Sequence, residues 1–397
     1  MSEPRTTFMT GATGFLGAFL VRDLLRRGRR LILMLREPVD ESMGRLRQSL
    51  EALGADLGAA EASGQLRVVS GSLPDRLPQR LDGPVDDLLS NAASLQLFEN
   101  GNQEPYRTNV EGTRCLIDWC RGHNVRRTHC VSTAYVCGSI TQHVDEVFHH
   151  PRPQFKTAYE QSKWMAETLL AEWGREPGHV LTVYRPSFLV GDSASGYTCQ
   201  YGGFYQLARM VSLLKTRYGA DDNGHSTHIP LRIPGRPEDP QNFVPVDFAA
   251  RIITEVMEDE SLQGRIYHLT DPNPPTNDQI KRHMEVYFRM HGGWFAPVDE
   301  VLNHCTPAES LLWEHYDVLT PRVTHNPRFM QGNTRRVMSL RGIPFPSLDD
   351  RLFATLLDFA IAHRWGQRSR GQGGRAGNAQ RHASSLSKSG QPSIPAT

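Results

Sequence analysis

The chain has 397 residues, 39% of them apolar, enough for a large core and, at roughly 150 residues per domain, for two structural units. Its 44 Lys and Arg balance 43 Asp and Glu to a formal charge of +1, which excludes the basic surface that a nucleic-acid-coating protein needs. Apolar runs such as residues 31–35 fall far short of the roughly 18 residues of a membrane span, and the Met-Ser-Glu-Pro start has no signal-peptide core, so a cytoplasmic protein is expected.

Short apolar runs alternate with helical patterns over the first half, the signature of βαβ units and a parallel sheet. Residues 7–9 predict a strand running into Gly11, and 15–27 a helix with Phe15, Phe19, Leu20 and Leu24 on its apolar face. A strand at 31–35, a helix at 43–53 and a strand at 66–69 follow. Residues 85–89 predict a weak fourth strand, because two acids interrupt it. Then come a helix at 109–119, a fifth strand at 127–131, a long helix at 159–172 and a sixth strand at 180–184. Joined by right-handed crossovers, these make an α/β fold with a doubly wound sheet.

Past Gly191 the alternation fades and Gly, Tyr, Ser and Pro rise. The expected organisation is a nucleotide-binding domain at 1–191, with 242–271 returning to it, and a smaller, partly helical substrate lobe from 192–241 and 272–366. Residues 367–397 are Gly, Ser, Gln and Arg with almost nothing to bury, so a disordered tail is expected there. Six cysteines without CxxC spacing, and no HExxH, predict neither disulfides nor a metal site, and the His149-His150 pair reads as solvated.

Residues 10–17, Thr-Gly-Ala-Thr-Gly-Phe-Leu-Gly, place three glycines between a predicted strand and a predicted helix, the context of a dinucleotide (Rossmann) fingerprint. Gly11 takes the tight turn, Gly14 lets the backbone approach a pyrophosphate, and Gly17 permits close helix–strand packing. Thr13, Phe15 and Leu16 belong to the same cradle. An acid after the second strand favours NAD and an Arg favours NADP. Arg36 stands there, with Arg45 and Arg47 behind it and Glu37 beside it, so NADP(H) is the expected cofactor.

Tyr159 and Lys163 are four residues apart on one helix face, and an ammonium beside a phenol is expected to lower the phenol pKa and ready it as a proton donor. Thr133 ends the fifth strand, where its hydroxyl reaches the carboxyl edge of the sheet.

Through TGATGFLG, SNAAS (90–94), STAYVCG (132–138) and YEQSK (159–163), the chain resembles an extended short-chain dehydrogenase/reductase. The resemblance implies that Thr133, Tyr159 and Lys163 are the catalytic triad, that Asn91, Ala92 and Ala93 back the cofactor, and that Asn109 has a structural or proton-relay use. Further pieces, YRTNVEGT (106–113), YEQSKWMAE (159–167), VYRPSFLVGDSASG (183–196), NFVPVDF (242–248) and GRIYHLTDPNPPT (264–276), are similar to the thioester reductase group. That group comprises carboxylic acid reductases, fatty acyl-CoA reductases and reductase domains of peptide synthetases. It places Pro186 and Phe188 in the cofactor pocket, and Ser72 and Leu73 near the adenine, where Ser72 replaces the usual Asp; Cys137 replaces a usual Tyr. Asp247 is expected to cap a helix, and Trp164 and Met165 to be core or cleft lining.

The implied function is NADPH-dependent reduction of an acyl thioester, carried on coenzyme A or on an acyl or peptidyl carrier protein supplied in trans. The product is an aldehyde, or an alcohol after a second hydride. A dehydrogenase, epimerase or dehydratase of a sugar nucleotide or hydroxy ketone shares several motifs, and an NADPH sensor without turnover is the reading from another class. An intact Thr133–Tyr159–Lys163 set argues against the sensor.

Overall fold

The computed structural model describes residues 4–219, 226–297, 300–301, 305–313 and 326–367. The tail expected to be disordered lies outside the described residues from 368 onward.

The first half alternates as its periodicity predicts. In order come β1 (Thr6–Thr10), α1 (Phe15–Arg26), β2 (Arg30–Leu35), α2 (Val39–Ala52), α3 (Gly58–Ala62), β3 (Leu66–Ser70) and β4 (Asp87–Ser90). A π-helical turn, Arg107–Glu111, leads into α4 (Gly112–Gly122), followed by β5 (Arg127–Val131), β6 (His143–Val144), α5 (Ala158–Trp173), β7 (Val180–Pro186) and β8 (Phe188–Val190). The second half carries α6 (Phe204–Tyr218), β9 (Thr227–Pro234), β10 (Phe243–Pro245), α7 (Val246–Glu258), β11 (Ile266–Leu269), α8 (Asn277–Phe288) and β12 (Met290–Ala296). It ends with α9 (Pro307–Trp313), β13 (Arg328–Phe329), α10 (Gly332–Arg341) and α11 (Asp350–Ala362).

Seven strands form an all-parallel sheet in the order β3-β2-β1-β4-β5-β7-β11. Apolar residues of α1, α2 and α7 pack one face, and those of α4 and α5 pack the other, so the sheet is doubly wound. The order reverses between β1 and β4, and the crevice at such a point is where α/β sheets bind ligands. Asp87, the acid that weakens the β4 pattern, is fully buried and accepts from Arg29 Nη1 at 2.5 Å and Arg127 Nε at 2.9 Å. Paired in this way, a charge is tolerated inside a strand.

Beyond the sheet, α6, α8 and α11 share an apolar cluster, and β9 pairs with β12. Two local expectations are corrected. Asp247 does not cap α7, whose N-cap is Pro245; it sits in the first turn and accepts from Ser193 N (2.9 Å) and Oγ (2.6 Å). Of the pair expected to be solvated, His150 is exposed but His149 is only partly so: its Nε2 lies 3.3 Å from Nη1 of the buried Arg185, and burial, with that guanidinium, lowers its pKa to about 4. Among the described residues no helix is long and apolar enough to cross a membrane.

Candidate active site

A cavity of ≈ 930 Å³ opens at the carboxyl ends of β1, β2, β4, β5 and β7 and continues between α6, α8, β9 and β12. Its floor is the glycine turn. Gly11 has φ +72°, and a Cβ there would lie 2.6 Å from Ala92 N; a Cβ on Gly17 would lie 2.1 Å from Gly11 O. Both positions therefore require glycine for packing between α1, β1 and the loop after β4. Thr10 Oγ1 accepts from Asn91 N and Ala92 N, and Asn91 Nδ2 donates to Gly11 O at 3.0 Å, which fixes that loop against the turn. Gly14 begins α1 with no side-chain cap, and the first turn holds no acid, so its amides and the dipole end are left for an anion.

At the far side of β2, Arg36 is exposed and lines the cavity. Glu37 is outside the lining: it accepts from Ser70 Oγ and Arg76 Nη1, each at 2.7 Å, and these contacts lower its pKa. Arg45, expected at the cofactor, does not reach the cavity, since one turn of α2 away its Nη2 donates to Ser42 Oγ at 2.8 Å. Gly17 likewise packs beneath the turn rather than lining it. Ser72 and Leu73 line the cavity, with Ser72 bridged to Arg76 through both backbone bonds.

Thr133, Tyr159 and Lys163 share the wall beside Asn91, Ala92, Ala93, Pro186 and Phe188. Thr157 caps α5, its Oγ1 accepting from Glu160 N, which starts the helix one turn before Lys163. Lys163 Nζ donates to Val131 O at 2.8 Å, tying α5 to the end of β5. Thr133 is buried, and its Oγ1 accepts from Tyr135 N at 3.3 Å. Asn109 in the π turn donates to Ser162 Oγ (2.9 Å) and Ser94 O (3.0 Å), clamping α5 to the loop after β4. The expected lowering of the Tyr159 pKa is reversed. Burial pushes the phenol well above its ordinary value and the Glu160 carboxylate adds to this, so Tyr159 is held as a neutral donor.

Trp164 and Met165 lie outside the lining; Trp164 Nε1 donates to His149 O at 3.0 Å. Sequence reading missed the other half of the cavity. Leu95, Gln96 and Leu97 of the loop after β4 line it, as do Leu207, Val211 and Leu214 of α6. The i, i+4, i+7 spacing of the latter three was the available signal.

The sequence profile described as male sterility protein, a family of NAD-binding domains, matches residues 9–253. The chain is 27% identical over 386 residues to an aldehyde reductase (lnaA) of Aspergillus flavus, covering 87% of this chain and 35% of that protein. It is 30% identical over 281 residues to an L-2-aminoadipate reductase of Schizosaccharomyces pombe, covering 64% of this chain and 18% of that protein. The chain thus spans about a third or less of these relatives' length. Its fold is similar to the terminal R domain from the myxalamid PKS-NRPS biosynthetic pathway, with TM-score 0.74, 25% identity and 92% of each chain covered.

Proposed function

The chain belongs to the male sterility protein family of NAD-binding domains, and on that footing we propose that it reduces an acyl thioester to an aldehyde with NADPH. The observation that carries the reading is the convergence of Thr133, Tyr159 and Lys163 on a cavity that also holds an uncapped helix N-terminus. In this reading residues 1–191 and 242–271 bind the cofactor, and 192–241 with 272–366 form the substrate lobe. The acyl group arrives on coenzyme A or on the phosphopantetheine arm of a carrier protein in trans. The names of the A. flavus and S. pombe relatives, both reductases, and of the myxalamid R domain support it.

The residues present fit the cofactor. Gly14 N closes the turn on Gly11 O at 3.1 Å, so the amides at Phe15 and Leu16 suit a pyrophosphate, and Arg36 suits a 2′-phosphate while Glu37 is drawn away to Ser70 and Arg76. When bound, NADPH supplies a hydride to the thioester carbon. Tyr159, protonated through burial, and the Thr133 hydroxyl donate to the carbonyl oxygen as negative charge develops on it. Lys163, anchored on Val131 O, positions the α5 face that carries Tyr159. The C–S bond of the hemithioacetal then breaks, the thiol leaves and the aldehyde remains.

The test is NADPH consumption by the purified protein with acyl-CoAs, acyl carrier proteins, aldehydes and sugar nucleotides in parallel. Thioester-dependent oxidation with thiol release is expected. Turnover of sugar nucleotides or hydroxy ketones alone overturns the proposal.

A further inference from the structure

Resting on the reading of Tyr159 and Lys163 as catalytic, we infer that Arg185 and Glu167 are positioning residues, a buried ion pair that sets the rotation of α5 and with it the placement of the Tyr159 hydroxyl. Tyr159, Lys163 and Glu167 stand at i, i+4 and i+8, one stripe of α5 about 12 Å long. Tyr159 lines the cavity and Lys163 is fastened to Val131 O, whereas Glu167 lies outside the lining and meets Arg185 of β7. Arg185 is fully buried and Glu167 nearly so. Their contact is a two-point fork, in which Nε donates to Oε1 at 3.0 Å and Nη2 to Oε2 at 2.6 Å. Two parallel bonds fix an angle as well as a distance, which a single contact does not.

The same guanidinium holds the segment that leads into the helix. Its Nη1 donates to Val147 O at 2.9 Å and lies 3.3 Å from Nε2 of both His149 and His268. His268 Nδ1 is 2.7 Å from Met330 O, so that nitrogen carries the proton and Nε2 is left to accept from Arg185. The backbone of His149 closes the circuit: its carbonyl accepts from Trp164 Nε1 at 3.0 Å, and Trp164 directly follows Lys163. Glu146 accepts from His268 N (2.9 Å) and Asn333 N (2.6 Å), which fastens the start of the segment to β11 and α10. α5 is thus tied at Lys163, Trp164 and Glu167, all within about two turns of Tyr159. A buried ion pair loses the hydration of both charges, and an apolar pair of similar volume often packs as stably. What such a replacement lacks is direction, so the use of this pair is geometric.

The experiment compares the full chain with two variants of it. The double variant Arg185→Met with Glu167→Met removes both charges together, and Arg185→Lys keeps the charge but loses the fork. In the double variant the urea midpoint and the Kd of NADPH are expected to stay near those of wild type. Its kcat, with NADPH and the acyl-CoA or acyl carrier protein that wild type reduces, is expected to fall roughly 100-fold, the effect of displacing a reacting group by about 1 Å. Arg185→Lys should fall between the two, again with cofactor affinity unchanged. Amide hydrogen exchange gives a readout independent of turnover: residues 158–165 should exchange faster in both variants, with α1 and β1 unchanged. Wild-type kcat in a folded variant overturns the inference, as does faster exchange spread over the whole sheet, which marks a pair that only stabilises the fold. If the double variant does not fold, Arg185→Lys decides on the same criteria. Faster exchange confined to α5 in a protein that reduces no thioester keeps the anchor and removes the reductase reading. Thioester reduction by wild type with kcat untouched in both variants does the opposite.

Discussion

Replacing Arg36 with Ala separates the two nicotinamide cofactors. Arg36 directly follows β2, is exposed and lines the cavity, and its neighbour Glu37 is occupied by Ser70 Oγ and Arg76 Nη1 at 2.7 Å each. A 2′-phosphate at this strand end meets the guanidinium, whereas a 2′-hydroxyl has no charge for it to answer. A hydrogen bond to a charged group contributes about 1.5–3 kcal/mol, so one lost contact should raise the Kd of NADPH roughly 10- to 150-fold. The Kd of NADH should barely move. Quenching of intrinsic fluorescence, titrated with each cofactor against wild type and Arg36→Ala, measures both constants. Equal losses for the two cofactors would make Arg36 a residue of the fold; equal wild-type affinities would remove the 2′-phosphate contact altogether.

Three further outcomes follow from the geometry. Tyr159→Phe should lower turnover roughly 100-fold or more with cofactor affinity little changed, because only the donor is removed; near-native turnover would unseat Tyr159 as the acid. Asp271, raised by burial to about 6, holds its proton in the folded state above the ~3.9 of an unfolded Asp. Stability should therefore fall as pH rises from about 4 through 6, and Asp271→Asn should flatten that slope and add roughly 2–3 kcal/mol at neutral pH in urea unfolding. Gly17→Ala, whose Cβ would lie 2.1 Å from Gly11 O, should cost roughly 1–3 kcal/mol of stability and weaken cofactor binding together, as a melt with and without NADPH will show.

The strands of the first half were legible because apolar residues stand between turn residues: β2 is apolar from Leu31 to Leu35 and buried on both faces, β1 carries Phe8 and Met9 among buried threonines, and the edge strand β3, where only Leu66 is fully buried, still carries Val68 and Val69. The β4 pattern was weak for a reason no local window contains, since Asp87 is neutralised by Arg29 and Arg127, 58 and 40 residues distant. The register put Arg36 at the strand end, but where the adjacent Glu37 goes is not local information, because Ser70 and Arg76 of another βα unit draw its carboxylate aside. The direction of the Tyr159 shift depends on burial, which the i, i+4 spacing of Tyr and Lys does not encode. The half of the cavity away from the glycine turn was hidden for a topological reason. Its walls come from α6, β9, α8 and β12, short pieces whose individual patterns say only that each has a buried side.

The proposed reaction is hydride transfer to a thioester carbon with departure of a thiol. A single turnover with 4-deuterated NADPH and an acyl-CoA, followed by mass spectrometry of the trapped carbonyl product and titration of free thiol, tests it directly. An aldehyde carrying one deuterium at its carbonyl carbon is expected, with one thiol released per cofactor oxidised. Cofactor oxidation without free thiol, or deuterium delivered only to a ketone or sugar nucleotide, would contradict it.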